Sequence, residues 1–256
     1  MRSEQQLSGV NRRDFLAAGM AAAAAVAVGG SVETAKAGEA KKINLKKNAV
    51  ILFQGDSITD AHRDRRRQQI ANDMRALGFG YPLLLGSALL ADYPEKQLKI
   101  YNRGISGNKV PDLDARWDKD TLALKPDILS ILIGVNDIWH KLQGRYKGTV
   151  EDYENGYRAL LKRTLKALPN VKIIICEPFV LKCGAVNDTW FPEFEQRRAV
   201  AVKLAKEFGL PLVPFQSMFN EAAKKAPPSY WLGDGVHPTP AGHALMAKTW
   251  REVVGI

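Results

Sequence analysis

With 256 residues, 46% of them hydrophobic and 25% charged, the chain has the composition of an ordinary globular protein and room for one α/β domain with a sizeable core. Its two cysteines exclude a disulfide-built scaffold, and no cysteine–histidine cluster has the spacing of a zinc site. The formal charge of +10 would suit an anionic partner. However, the densest basic run, His62-Arg63-Asp64-Arg65-Arg66-Arg67, contains an aspartate and no interleaved aromatic. It reads as a solvated loop or an interface, at most a guide for an acidic polymer, and nucleic acid is not expected as a partner.

The N-terminus differs from the rest. Arg12-Arg13 precedes Phe15-Leu16, Leu16 to Gly30 is uncharged and rich in alanine, and Ala35-Lys36-Ala37 offers an A-x-A cleavage site. This pattern is that of a signal peptide of the twin-arginine type, spanning residues 1–37, with Gly38 as the mature start. The apolar stretch is too short and too alanine-rich to span a membrane comfortably, and no cysteine stands at the cleavage region for lipidation. The expected product is a periplasmic or secreted domain of residues 38–256, with no membrane anchor after cleavage.

Five apolar runs then alternate with helical patterns. The predicted strands are Ala49–Phe53, Leu98–Tyr101, Ile128–Ile133, Lys172–Cys176 and Pro211–Val213. Continuous apolar runs of this kind mark buried parallel strands. Helices are predicted over Tyr81–Ala91, over Pro111–Leu124, from Thr149 to the Pro169-Asn170 stop, over Glu193–Phe208 and over Pro240–Val254. Thr149-Val150-Glu151-Asp152 resembles a capping box, and Val150, Tyr153, Tyr157, Leu160, Leu161, Leu165 and Leu168 keep helical spacing. Alternation of this kind predicts one α/β domain: a three-layer α/β/α sandwich around a five-stranded parallel sheet. Two long loops, Asp60 to Phe79 and Phe179 to Pro192, are expected to build a pocket or an oligomer interface. Cys176, inside a predicted strand, is expected as a buried free thiol and Cys183 lies in the next loop.

The chemistry sits at strand ends. Ser57 follows the first strand, Gly107 the second and Asn136 the third, which puts three polar groups on the carboxyl edge where ligands bind in open α/β sheets. Late in the chain, Asp234 and His237 stand three residues apart. A serine, an imidazole and a carboxylate are the parts of nucleophilic acyl transfer. Ser57 would attack, His237 would take its proton, and Asp234 would hold the other ring nitrogen. The backbone N–H groups of Ser57 and Gly107 and the Asn136 amide would hold an oxyanion. His243 is the rival base, but Thr239 suits an N-cap and Pro240 the first helical position, which places His243 in a helix's first turn. His62 and His140 lack a carboxylate at useful spacing. His140 follows Trp139 after the Asn136 loop and would line the pocket.

Together these blocks resemble the SGNH hydrolases, also called GDSL esterases, from about Ala49 to the C-terminus. A narrower resemblance is to the acetylxylan esterases of that superfamily. It rests on Gly55-Asp56-Ser57-Ile58-Thr59-Asp60, Gly80-Tyr81, Asn102 to Asn108, Leu113 to Trp117, Lys125-Pro126-Asp127, Ile133 to Trp139 and Val236 to His243. The resemblance implies a flavodoxin-like SGNH fold, ester hydrolysis without a cofactor, and assembly into homo-oligomers. It implies an O-acetylated, xylan-like carbohydrate as substrate, with Asp56 and Trp139 near it. Short-chain aryl or alkyl ester, lipase and thioesterase activity also occur in so broad a superfamily. A non-catalytic carbohydrate-binding relative would lack a triad member, and none is missing. The family pattern has an aromatic immediately before the aspartate. Here Gly233 holds that place, with Tyr230 and Trp231 slightly upstream, suited either to stacking on a sugar ring or to packing the last loop.

Overall fold

In a computed structural model, residues 43–256 can be described. The signal-peptide reading of residues 1–37 falls outside them. Five strands form one sheet: β1 (Val50–Gly55), β2 (Lys99–Asn102), β3 (Ile128–Leu132), β4 (Lys172–Cys176) and β5 (Leu212–Val213). All pairings are parallel, and the order is β2-β1-β3-β4-β5. This is the flavodoxin-like order, and its switch point lies between β1 and β3. The register sets Ile51 beside both Ile100 and Ile128.

Side chains alternate across each strand, so the sheet feeds two cores. Ile51, Phe53, Ile100 and Ile174 face one way, toward α3 (Tyr81–Asp92), α8 (Phe215–Ala223) and α10 (Pro240–Val254). Leu52, Leu129, Ile131, Ile173 and Ile175 face the other, toward α4 (Val110–Asp120), α6 (Val150–Ala167) and α7 (Glu193–Glu207). The result is the three-layer α/β/α sandwich read from the sequence. The Thr149 capping box is formed, with Asp152 N–H donating to the threonine oxygen at 3.1 Å and Thr149 N–H to Asp152 at 2.8 Å. Cys176 is buried and both cysteines are free.

The remaining elements are short: α1 (Ser57–Asp60), α2 (Met74–Leu77), α5 (Val135–Leu142) and α9 (Pro228–Trp231). The predicted Pro111–Leu124 helix ends as α-helix at Asp120, where Thr121 breaks it, and a 3-10 turn covers Leu122–Leu124. Among the described residues no helix is long and apolar enough to cross a membrane.

Candidate active site

β1 runs into α1 with one residue between them. Gly55 permits this: a Cβ there would lie 2.4 Å from the Leu132 carbonyl oxygen and from the Thr59 hydroxyl. Asp56 caps α1, its Oδ1 accepting the Ile58 N–H at 3.0 Å. Ser57 is thereby the first helical residue, at the carboxyl edge of the sheet. Asp56 was expected near the substrate, and the structure corrects this. Asp56 is buried beneath the turn, and its second carboxylate oxygen has no partner among the described residues. Burial drives its pKa up to about 7, with the Asp137 charge adding to the rise and the Ile58 N–H and His237 opposing it.

Ser57 Oγ lies 2.8 Å from His237 Nε2, across 180 residues of sequence. On the far side of the ring, His237 Nδ1 is 2.7 Å from Asp234 Oδ2. A carboxylate only accepts, so Nδ1 carries the proton and Nε2 is left as the acceptor for the serine hydroxyl. The other Asp234 oxygen accepts the backbone N–H groups of Val236 at 2.9 Å and His237 at 2.7 Å. Partial burial raises the Asp234 pKa, but these hydrogen bonds outweigh it and hold the carboxyl below its usual range.

The turn bearing Asp234 is gripped by the segment after β4. Ala185 N–H donates to the Asp234 carbonyl at 2.8 Å, and Leu181 N–H to the Gly235 carbonyl at 2.9 Å. Gly184 and Gly235 make this approach feasible. A Cβ on Gly184 would lie 2.7 Å from Asp234 Cα, and one on Gly235 would lie 2.3 Å from the Cys183 carbonyl oxygen. The sequence reading missed these two positions. Their only signal was a pair of glycines in two loops that sequence alone does not bring together.

The oxyanion side is tied to the same turn. Asp60, at the end of α1, accepts the backbone N–H of Ser106 at 3.0 Å and its hydroxyl at 2.8 Å, and also pairs with Arg65. Ile105 N–H donates to the Gly55 carbonyl at 3.1 Å. These bonds hold the Ser106-Gly107-Asn108 turn against the nucleophile. Gly107 has φ +82°, a conformation that suits glycine. Asn136 lies not in a loop, as the sequence reading had it, but in the first turn of α5. Gly134 at φ +135° turns the chain from the end of the β3 run into that helix without a connecting loop. The Asn136 amide donates to the Asn108 carbonyl at 3.2 Å, and its second N–H has no hydrogen-bond partner among the described residues. Ser57, Gly107 and Asn136 are thus carried by three tethered segments.

Of the expected aromatic contacts, Trp139 is half-buried with its ring centroid 5.8 Å from that of His237 and 5.5 Å from that of the buried Trp190. Tyr230 is 56% exposed, while Trp231 packs on the core, and the two rings meet edge-on at 4.9 Å. Trp231 is half-buried against the core and Tyr230 stands out at the surface. His243 is in the first turns of α10, capped by Thr239, and its Nδ1 accepts the Tyr81 N–H at 3.1 Å. Burial, with the His237 charge, takes its pKa down to about 4. Among the described residues no three His, Cys, Asp or Glu side chains converge in a group that could hold a metal ion.

The arrangement can move a proton from a serine hydroxyl to an imidazole held by a carboxylate, beside amide donors. Comparison with known proteins agrees in kind. The profile of the GDSL-like lipase/acylhydrolase family matches residues 53–245. An acetylxylan esterase of Geobacillus stearothermophilus is 38% identical over 207 residues, covering 80% of this chain and 93% of that protein. The crystal structure of Axe2, an acetylxylan esterase from the same organism, superposes with a TM-score of 0.74 at 35% identity, over 84% of this chain and 97% of that one. Catalytic mutants of that enzyme, also solved, replace a serine, an aspartate and a histidine by alanine. A GDSL-like protein from Parabacteroides merdae gives a TM-score of 0.81 at 55% identity, over 84% of this chain and 99% of that one. The chain belongs to the GDSL-like lipase/acylhydrolase family and is a carboxylic ester hydrolase.

Proposed function

We propose that this chain is an exported serine esterase that removes O-acetyl groups from xylan or xylo-oligosaccharides through an acetyl-Ser57 intermediate. The observation that carries the reading is the unbroken relay from Ser57 to His237 at 2.8 Å and from His237 to Asp234 at 2.7 Å. The acetylxylan esterase relatives support the substrate class. Arg12-Arg13, the alanine-rich stretch and Ala35-Lys36-Ala37 support export by the twin-arginine route, to the periplasm or beyond, after cleavage at Ala37.

In the first half-reaction Ser57 Oγ bonds to the acetyl carbon as its proton passes to His237 Nε2. The carbonyl oxygen becomes negative and is held by the N–H groups of Ser57 and Gly107 and the Asn136 amide, each worth roughly 3–4 kcal/mol of barrier. The intermediate collapses, the bond to the sugar oxygen breaks, and His237 returns the proton to that oxygen. Water then attacks acetyl-Ser57, giving its proton to His237. Acetate departs and Ser57 regains its hydrogen. Asp234 keeps the ring in the required tautomer and stabilises the imidazolium.

The test is acetate release by residues 38–256 from acetylated xylan, with Ser57→Ala as control. Release by the wild type alone is expected. Hydrolysis of aryl acetate without release from xylan would favour the short-chain aryl or alkyl esterase reading. Faster turnover of octanoyl than acetyl esters would favour a lipase.

A further inference from the structure

One polar group at the site is not used by the chemistry above. His140 lies in the last turn of α5, one residue after the tryptophan that packs on His237. Its Cε1 would be 3.6 Å from a Cβ placed on Gly107, and beyond Gly107 and its two chain neighbours no other heavy atom of the described residues comes within 4 Å of that position. The imidazole therefore stands beside an oxyanion donor. The polar groups of the Gly107 turn and of Lys109 beyond it are committed elsewhere. Ser106 is held by Asp60, the Asn108 carbonyl takes the Asn136 amide, and the Asn108 side chain takes Arg116. The Lys109 ammonium is bound by Asp112 at 2.6 Å and sits 5.4 Å over the Tyr146 ring. The His140 ring is partly exposed and makes no side-chain hydrogen bond among the described residues. Partial burial, then the charges of Lys109 and Arg145, hold it below the usual histidine range against the opposing pull of Asp112. It is a neutral imidazole at neutral pH, with one N–H and one lone pair to offer.

A ring with two unpaired nitrogens is a poor wall for an acetyl methyl group, because each would be desolvated without a partner. It suits a sugar hydroxyl, which both donates and accepts. We infer that His140 is a positioning residue for the alcohol half of the ester, hydrogen-bonding a ring hydroxyl that neighbours the acetylated oxygen beside Gly107. The inference rests on the acetylated-sugar substrate proposed above.

The experiment compares kcat/KM on an acetylated xylo-oligosaccharide with that on 4-nitrophenyl acetate, which has no hydroxyl, for wild type, His140→Ala and His140→Gln. His140→Ala is expected to lower the ratio of sugar ester to aryl ester about tenfold, mainly through KM, as loss of one hydrogen bond would. His140→Gln, with a donor and an acceptor, should recover part of it. Equal losses on both esters would make His140 a prop of the Gly107 turn and overturn the inference. An unchanged ratio would overturn it too, as would a shift in acyl-length preference, which would put the ring against the acyl group. A wild type that cleaves the aryl ester and no sugar ester would instead strike the substrate assignment, and is recognised before any variant is made.

Discussion

Ser57 and Asp56 are adjacent, yet one side chain ends on a catalytic-type imidazole and the other is sealed under the turn. The tripeptide Gly55-Asp56-Ser57 singled out Ser57 only in company with the Gly107, Asn136 and Asp234–His237 blocks, because a serine in a strand-to-helix turn is by itself as good a turn or cap residue as a nucleophile. Asp56 was misjudged because sequence does not tell which residue turns inward where a two-residue period gives way to a helix. Its burial has a measurable consequence. The folded chain keeps the Asp56 proton up to about pH 7, whereas the unfolded chain releases it near the usual 3.8. The native state then binds more protons than the unfolded state across that window, so this residue's contribution to stability falls as pH rises from about 4 to about 7. Asp56→Asn removes the penalty. The Tm of the variant minus that of the wild type should climb between pH 4 and 7 and level off above. A difference independent of pH would mean that Asp56 does not hold its proton in the fold.

At the scale of elements, the five strands and five long helices were legible because buried parallel strands are apolar throughout and amphipathic helices keep their stripe. α10 was read as Pro240–Val254, with Thr239 and Pro240 marking its start, and those are its bounds. α5 and α8 went unseen. Each starts almost where a strand run ends, at Gly134 and Pro214, so the change of period has no loop to announce it. The Phe179–Pro192 segment was read as a builder of the pocket or of an interface. What it does in this fold is grip the Asp234 turn and set Trp190 behind Trp139. Gly184 has φ +55° and no room for a methyl group beside Asp234. Gly184→Ala should therefore push the Asp234 turn away, lowering kcat at least tenfold with KM little changed and costing about 1–3 kcal/mol of stability. Steady-state kinetics with thermal melts checks this. Unaltered kcat in a stably folded variant would show that the segment does not position the carboxylate.

At the scale of the whole chain, the sheet order puts the switch point between β1 and β3, and the Ser57 and Asn136 segments leave the sheet on either side of it. That convergence was readable in advance because parallel topology forces all the strand ends onto one edge. The partnership of Ser57 with Asp234 and His237 was readable only as a set of motifs, since no local rule brings together residues 180 positions apart. The charge pairs of the basic run could not be foreseen either: Arg65 is taken by Asp60, Arg66 by Asp64 and Arg67 by Asp73. Export is tested by replacing Arg12 and Arg13 with lysine. The wild type should be recovered outside the cytoplasm with Gly38 as its first residue, and the double variant should stay inside, unprocessed. Equal processing of both would argue against the twin-arginine route.

The central claim is that Ser57, activated by His237 and Asp234, is the acyl carrier. A fluorophosphonate probe followed by peptide mass mapping tests it most directly. One equivalent of label on the peptide holding Ser57, with loss of esterase activity, is the result expected of the wild type, and none on folded Ser57→Ala. His237→Ala should label orders of magnitude more slowly. Label on any other residue, or esterase activity surviving in Ser57→Ala, would contradict the claim.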